Sequence, residues 1–160
     1  MQLKVAIDSS VLLALGKLGY LKLASELFEK LFLAEAVFAE ISGDEIAKDL
    51  SKLRDAGLVE VAKCSNTQLF YMLSSSLGKG EAETIVLALD LKTDAALLDD
   101  LRARKMARRL NVKVIGTLAV LKALLDADLI KEKPEDLCQR LMNQGFWVDA
   151  GLCLKILKTK

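Results

Sequence analysis

Five acidic residues, Asp8, Glu40, Glu81, Asp99 and Asp100, sit where an alternating α/β chain would need them to hold a divalent metal. Asp8 closes the apolar run LKVAID, and Asp99–Asp100 close the run AALLDD. Each run reads as a short buried strand that ends in carboxylate. In open parallel sheets, sites form beyond the carboxyl ends of strands, where the strand order reverses. Two such strands side by side bring Asp8 near the Asp pair. Carboxylates held that close repel one another, and a hard cation with oxygen ligands is the natural means of neutralising them.

Each acid also has a plainer reading. Asp8 and Asp100 could simply cap the helices that follow them. Adjacent acids at a strand end point to different sides, so one of Asp99 and Asp100 faces a site while the other caps or orients. Glu81 and Glu83, two residues apart, fall on different helix faces, so at most one enters a site with ease. Glu40 lies in AVFAEIS, where a solvated helix face is the plain alternative.

Composition narrows the chemistry. The chain has 160 residues, enough for one domain with a sizeable core, and it contains no His. That removes His general bases, Ser–His and Cys–His dyads and His metal ligands. Catalysis must then run on carboxylates, Lys, Tyr, Ser/Thr or a metal. Net charge is +1, so only local clustering could argue for a nucleic acid. Cys64, Cys138 and Cys153 are widely spaced, with no C-x-x-C, which argues against structural zinc. They are expected to be small buried thiols in a reduced, cytoplasmic protein. No apolar stretch is long enough to span a bilayer, and the N-terminus lacks a cleavage-site pattern.

The elements that must position these residues alternate along the chain. Strands are predicted near Leu3–Asp8, Leu31–Leu33, Leu58–Ala62, Ala95–Leu98 and Val112–Ile115. Ser9 and Ser10 are expected to cap a helix over Val11–Leu15 that Gly16 and Gly19 break. Further helices are expected over Tyr20–Lys30, Glu35–Ser42, Asp44–Asp55, Asn66–Leu73, Glu81–Lys92, Leu101–Leu110 and Leu118–Ala127, with Gly78-Lys79-Gly80 as a turn. Two more follow Pro134 and Ala150. Short apolar strands alternating with helices indicate a parallel sheet covered on both faces.

In order and local context these segments resemble the PIN-domain family of metal-dependent nucleases. VAIDSSVLLAL resembles the family's opening strand, EAVFAEI its V-x-x-E helix, and GEAETIVLALDL the segment in which an acid precedes an Ala by seven residues. ALLDDLRARKMA resembles the strand that delivers the fourth acid, with Leu98 where Thr is usual. GEAE, LLDD, VIGTLAVL and the terminal GFWVDAGLCLKIL resemble a less-characterised prokaryotic branch. The resemblance implies a three-layer α/β/α fold around a short, mostly parallel five-stranded sheet. It implies a nuclease domain over 1–130 and a C-terminal helical extension over 131–160. It assigns Asp8, Glu40, Glu81 and Asp100 as catalytic metal ligands, with Asp99 sharing or replacing the role of Asp100. It further implies Mg²⁺ or Mn²⁺, single-stranded RNA as substrate and, by likeness to VapC toxins, a protein antitoxin.

Ser9, Arg102, Lys105 and Thr117 are the candidates for touching substrate. The basic run after the Asp pair forms two helical stripes, Arg102/Lys105/Arg109 and Arg104/Arg108, either of which could hold phosphates. Arg102 could instead pair with Asp99. Tyr20, Tyr71 and Trp147 are too dispersed to suggest a base-stacking platform. Helices apolar on more than one face, Tyr20–Leu31 and Leu118–Leu125, predict a homodimer or another partner. A catalytically weak PIN-like binding or regulatory module shares most of these features. A phosphate-accepting receiver domain would need an acidic pair after strand 1 and a Lys after strand 5, where this chain has one Asp and Thr117.

Overall fold

The computed structural model describes residues 2–160. Along the chain run β1 (Lys4–Ile7), α1 (Ser9–Leu18), α2 (Leu21–Glu26), β2 (Lys30–Ala34), α3 (Glu35–Ile41), α4 (Ala47–Asp55) and β3 (Val59–Ala62). Then come α5 (Thr67–Ser74), α6 (Lys79–Asp90), β4 (Ala95–Leu97), α7 (Leu101–Arg109), β5 (Val114–Ile115), α8 (Thr117–Asp126), α9 (Pro134–Asn143) and α10 (Ala150–Lys158). The five strands form one sheet in the order β3-β2-β1-β4-β5, and every pairing is parallel. The chain builds outward from β1 in one direction and then returns to its other side through β4. The order therefore reverses between β1 and β4, whose register pairs Ile7 with Leu97.

Strand alternation divides the core in two. Val5, Ile7, Ala95 and Leu97 join the larger apolar cluster, while Ala6, Ala96 and Leu98 join the smaller one with residues of α5, α6 and α7. Both faces are covered by helices, which gives the three-layer α/β/α fold that the resemblance implies. Strands this short can be almost wholly apolar because neither face meets water.

The differences from the sequence-based elements have local causes. Gly16 does not break α1, which runs to Leu18 and ends on Gly19 in the left-handed region. A Cβ at Gly16 would stand 2.6 Å from Ile46 Cγ2, so the glycine serves close packing inside the helix. Ser9 and Ser10 are helical residues, and Asp8 is the N-cap residue without a side-chain capping bond. The helix expected over Tyr20–Lys30 stops at Glu26, and the strand expected over Leu31–Leu33 is present and extends over Lys30–Ala34, where it pairs with both β1 and β3. Residues 78–80 form the start of α6 rather than a separate turn, since Glu81 Oε2 accepts the Gly78 N–H at 3.1 Å.

The C-terminal helices are part of the same packed body. Leu137, Leu141 and Leu157 lie in the larger core cluster. Arg140 donates to Leu18 O at 2.8 Å, and Glu132 accepts from the Tyr20 hydroxyl at 2.6 Å. α10 lies against α8, so the second apolar face of α8 is covered from within the chain. Cys138 and Cys153 are not separate thiols: they form a disulfide between α9 and α10, with Cα atoms 6.1 Å apart. Sequence spacing carries no such information, because the pairing depends on how the two helices dock.

Candidate active site

Asp8 leaves the end of β1, and its N–H donates to Leu97 O of β4 at 3.1 Å. The carboxylate thus lies at the reversal of strand order. Asp8 is 3% exposed. The Ser10 hydroxyl donates to its Oδ2 at 3.2 Å, whereas Oδ1 is buried without a hydrogen-bond partner. Burial pushes the Asp8 carboxyl up to about 6, and the charges of Glu81 and Glu40 add to that rise. Hydrogen bonds from the Ser9 N–H and Ser10 oppose it. An unpaired buried carboxylate oxygen is costly unless something of positive charge meets it.

Gly80 explains how Glu40 reaches this place. A Cβ on Gly80 would lie 3.0 Å from Glu40 Oε1 and 3.5 Å from Asp8 Oδ1. The absent side chain leaves the room in which two acids from different elements approach. Glu83, the neighbour of Glu81 along α6, has another task. Its Oε2 accepts the Ala36 N–H at 3.0 Å, at the N-terminus of α3, where Ala34 offers no capping side chain. That bond locks α3 to α6 and so fixes the helix that carries Glu40.

Glu81 is half-buried at the start of α6. Burial raises its carboxyl, as do the nearby Asp100 and Glu40, while the Gly78 N–H and Arg102 lower it. Asp100 is exposed and caps α7, accepting the Ala103 N–H on Oδ2 at 2.9 Å. Asp99 turns the other way, as expected for adjacent residues. Its Oδ1 accepts the Thr117 N–H at 2.8 Å and its Oδ2 the Thr117 hydroxyl at 2.6 Å. Thr117 is fully buried, so its hydroxyl positions Asp99 instead of reaching solvent. Arg102 forms no ion pair with Asp99 among the described residues. Arg104 is the cation beside Asp99, and its guanidinium donates to Leu98 O at 3.0 Å.

A cleft of about 760 Å³ opens at this site, although Asp8 and Glu40 are not among the residues that line it. Glu81, Asp99 and Asp100 line it, together with Ser10, Arg104 and Arg108. Burial and the adjacent Arg108 lower the Arg104 pKa, while Asp99 opposes this. Of the two basic stripes, the cleft takes Arg104 and Arg108. Lys105 and Arg102 are exposed outside its lining, and Ser9 is partly exposed beside Asp8. The far wall is apolar and comes from the C-terminal segment, including Phe146, Trp147 and Val148. Neither the wall nor the inward face of α7 had a signal beyond the i, i+4 spacing of Arg104 and Arg108, because both depend on docking of distant segments.

The donor set suits a hard divalent cation: it is all oxygen, and Asp8 Oδ1 is a buried ligand atom without a partner. As the side chains stand, no three acids among the described residues converge on one point closely enough to hold a metal ion. Cys64, the remaining thiol, is pushed up to about 12 by burial and by Glu83, which makes it a poor nucleophile.

Residues 4–160 match the profile of the DUF3368 family, described as a PIN domain, and the chain belongs to that family. PIN domains are in general nucleases and typically use divalent metals, which places the chain coarsely among hydrolases of nucleic acids. The match runs through both the sheet and the C-terminal helices. No curated protein matched the chain. Among the described residues no helix is long and apolar enough to cross a membrane.

Proposed function

We propose that this chain is a Mg²⁺- or Mn²⁺-dependent endoribonuclease that hydrolyses RNA phosphodiester bonds, acting as the toxin of a toxin–antitoxin pair. The observation that carries the reading is the buried, unpartnered Oδ1 of Asp8 at the strand-order reversal, facing the gap that Gly80 leaves beside Glu40. A divalent cation, when bound, lowers the pKa of its water and stabilises charge on phosphate oxygens. Asp8, Glu40, Glu81 and Asp100 are the residues that would hold it. Asp100 is a better candidate than Asp99, since both oxygens of Asp99 are engaged by Thr117.

The chain's own groups supply the rest. Arg104 and Arg108 present guanidinium groups to the phosphates on either side of the scissile one. Thr117 holds Asp99, which lies beside Arg104 and keeps that cation at the cleft. Ser10 holds Asp8 Oδ2 and leaves Oδ1 free. The buried Asp8 site excludes bulk water, which strengthens each charge interaction.

A second reading has an observation of its own. Among the described residues no three acids converge as they stand, which favours a catalytically weak PIN-like module that binds nucleic acid without cutting it. One experiment separates the two. Varied RNAs, with DNA alongside, are incubated with Mg²⁺ or Mn²⁺ and resolved on gels, with Asp8→Asn as control. Cleavage lost in Asp8→Asn supports the nuclease. Binding without cleavage supports the module, and cleavage undiminished in Asp8→Asn removes the site from the chemistry.

A further inference from the structure

Trp147 is 99% exposed, yet it lines the same cleft as Glu81, Asp99 and Asp100. An indole carries a large apolar surface, and leaving all of it in water forgoes most of what burial would contribute. Its immediate surroundings say what would cover it. Lys17, Arg104 and Arg108 line the cleft with it, so the cleft combines cations with a flat aromatic face. Phosphates satisfy the first and bases the second, which is the pairing by which proteins hold an unpaired strand. The backbone around Trp147 is defined on both sides. Gly145, in the left-handed region at φ 85°, turns the chain out of α9, and Asp149 caps α10 by accepting the Leu152 N–H at 3.0 Å.

We propose that Trp147 stacks on a nucleobase of the bound strand and sets how that strand enters the cleft, with Arg104 and Arg108 on its phosphates. The inference rests on the nucleic-acid reading of this site and assigns the C-terminal segment a binding role. Trp147 is a binding residue here, without a part in the chemical step.

Trp147 is the only tryptophan, so its fluorescence reports the contact directly. The full chain is titrated with a short single-stranded oligoribonucleotide and with an abasic strand of equal phosphate count. Ca²⁺ is present in both titrations, because it satisfies carboxylate oxygens in flexible geometry. The expected result is saturable quenching by the base-bearing strand and none by the abasic one. Trp147→Ala should weaken the base-bearing strand by about 5- to 150-fold, the range of base–aromatic stacking, and leave the abasic strand unchanged. Trp147→Phe should recover most of the loss. In Mg²⁺, Trp147→Ala should raise KM by a similar factor with kcat little changed.

Equal affinity of Trp147→Ala and the natural chain, absence of quenching, or no binding of either strand would overturn the proposal. So would a change from dimer to monomer on sedimentation of Trp147→Ala with RNA affinity intact, since the indole would then belong to an interface between copies. The nuclease reading is judged separately on the gel. Cleavage with an indifferent Trp147 leaves the nuclease standing and removes the stacking. Quenching without cleavage does the reverse.

Discussion

Asp8, buried at the reversal of strand order, and Trp147, on the wall of the cleft lined by Glu81, Asp99 and Asp100, are held in opposite ways. The carboxylate is 3% exposed, fixed by Ser10 and by a backbone bond to β4, and crowded by Glu40 and Glu81. The indole is 99% exposed, on a segment between two helices. The inner end stores electrostatic cost in a rigid place, which a cation can relieve. The outer end leaves apolar surface unspent, which a ligand can cover. Substitutions at the inner end should therefore change stability and chemistry together, whereas those at the outer wall should change binding alone.

Asp8→Asn tests the inner end most severely. Changes in groups that only support metal ligands typically cost about 10- to 100-fold, so loss of a ligand should reduce cleavage by at least about 100-fold. Gel assays of initial rate check this. The same substitution should raise the melting temperature of the metal-free protein, because it removes a buried carboxylate whose pKa is raised. The pH dependence follows. With a carboxyl raised from 3.8 to about 6, the folded state holds the proton more tightly than the unfolded chain. This group's contribution to stability therefore falls as pH rises from about 4 to about 6 and is level above that. At about 1.4 kcal/mol per pH unit the fall amounts to about 3 kcal/mol. Urea melts across this range should show it, and Asp8→Asn should abolish it.

Thr117→Val has the next effect. It removes the hydroxyl that meets Asp99 and leaves a half-buried charged acceptor short of a donor, at a cost of about 1–3 kcal/mol in chemical denaturation. Gly80→Ala should be smaller and more selective. Its Cβ crowds Glu40 Oε1 while meeting Asp8 Oδ1 only at ordinary contact distance, so the shift of Glu40 should weaken Mn²⁺ binding about tenfold by calorimetry. Alanine also favours the helix by up to about 1 kcal/mol, so the melting temperature should not fall in step. Trp147→Ala should leave stability within about 0.5 kcal/mol and Mn²⁺ binding unchanged. A large loss of stability there would erase the contrast between the two ends.

Much of the inner end was legible in the sequence. Apolar runs ending in Asp located β1 and β4, and alternation of strand and helix predicted the parallel sheet. Their adjacency could be expected from the rule that sites form at strand-order reversals. The division of labour within each acid pair was not legible. Asp99 turns to Thr117 and Glu83 to the Ala36 N–H through contacts 18 and 47 residues apart in sequence. Gly80 looked like a turn residue because glycine is ambiguous between a bend and a close approach. The outer wall was least legible, since Trp147 comes to line the same cleft as Arg104 and Arg108 only when α10 docks on α8. The dimer expected from the apolar faces of α8 lost part of its motive for the same reason.

The bond between Cys138 and Cys153 encloses residues 139–152, and Trp147 lies inside that span. The outer wall is thus a hoop, closed by sulfur, whose two ends cannot drift apart even when α10 lifts from α8. Closing a loop of this size removes about 3 kcal/mol of chain freedom from the unfolded state. Its local effect is a leash: during any partial opening of the terminus, the indole stays within the hoop's reach of the cleft. A reductant would cut that leash without touching an acid or an arginine, and a strand seated against the indole would then have to gather the wall before using it.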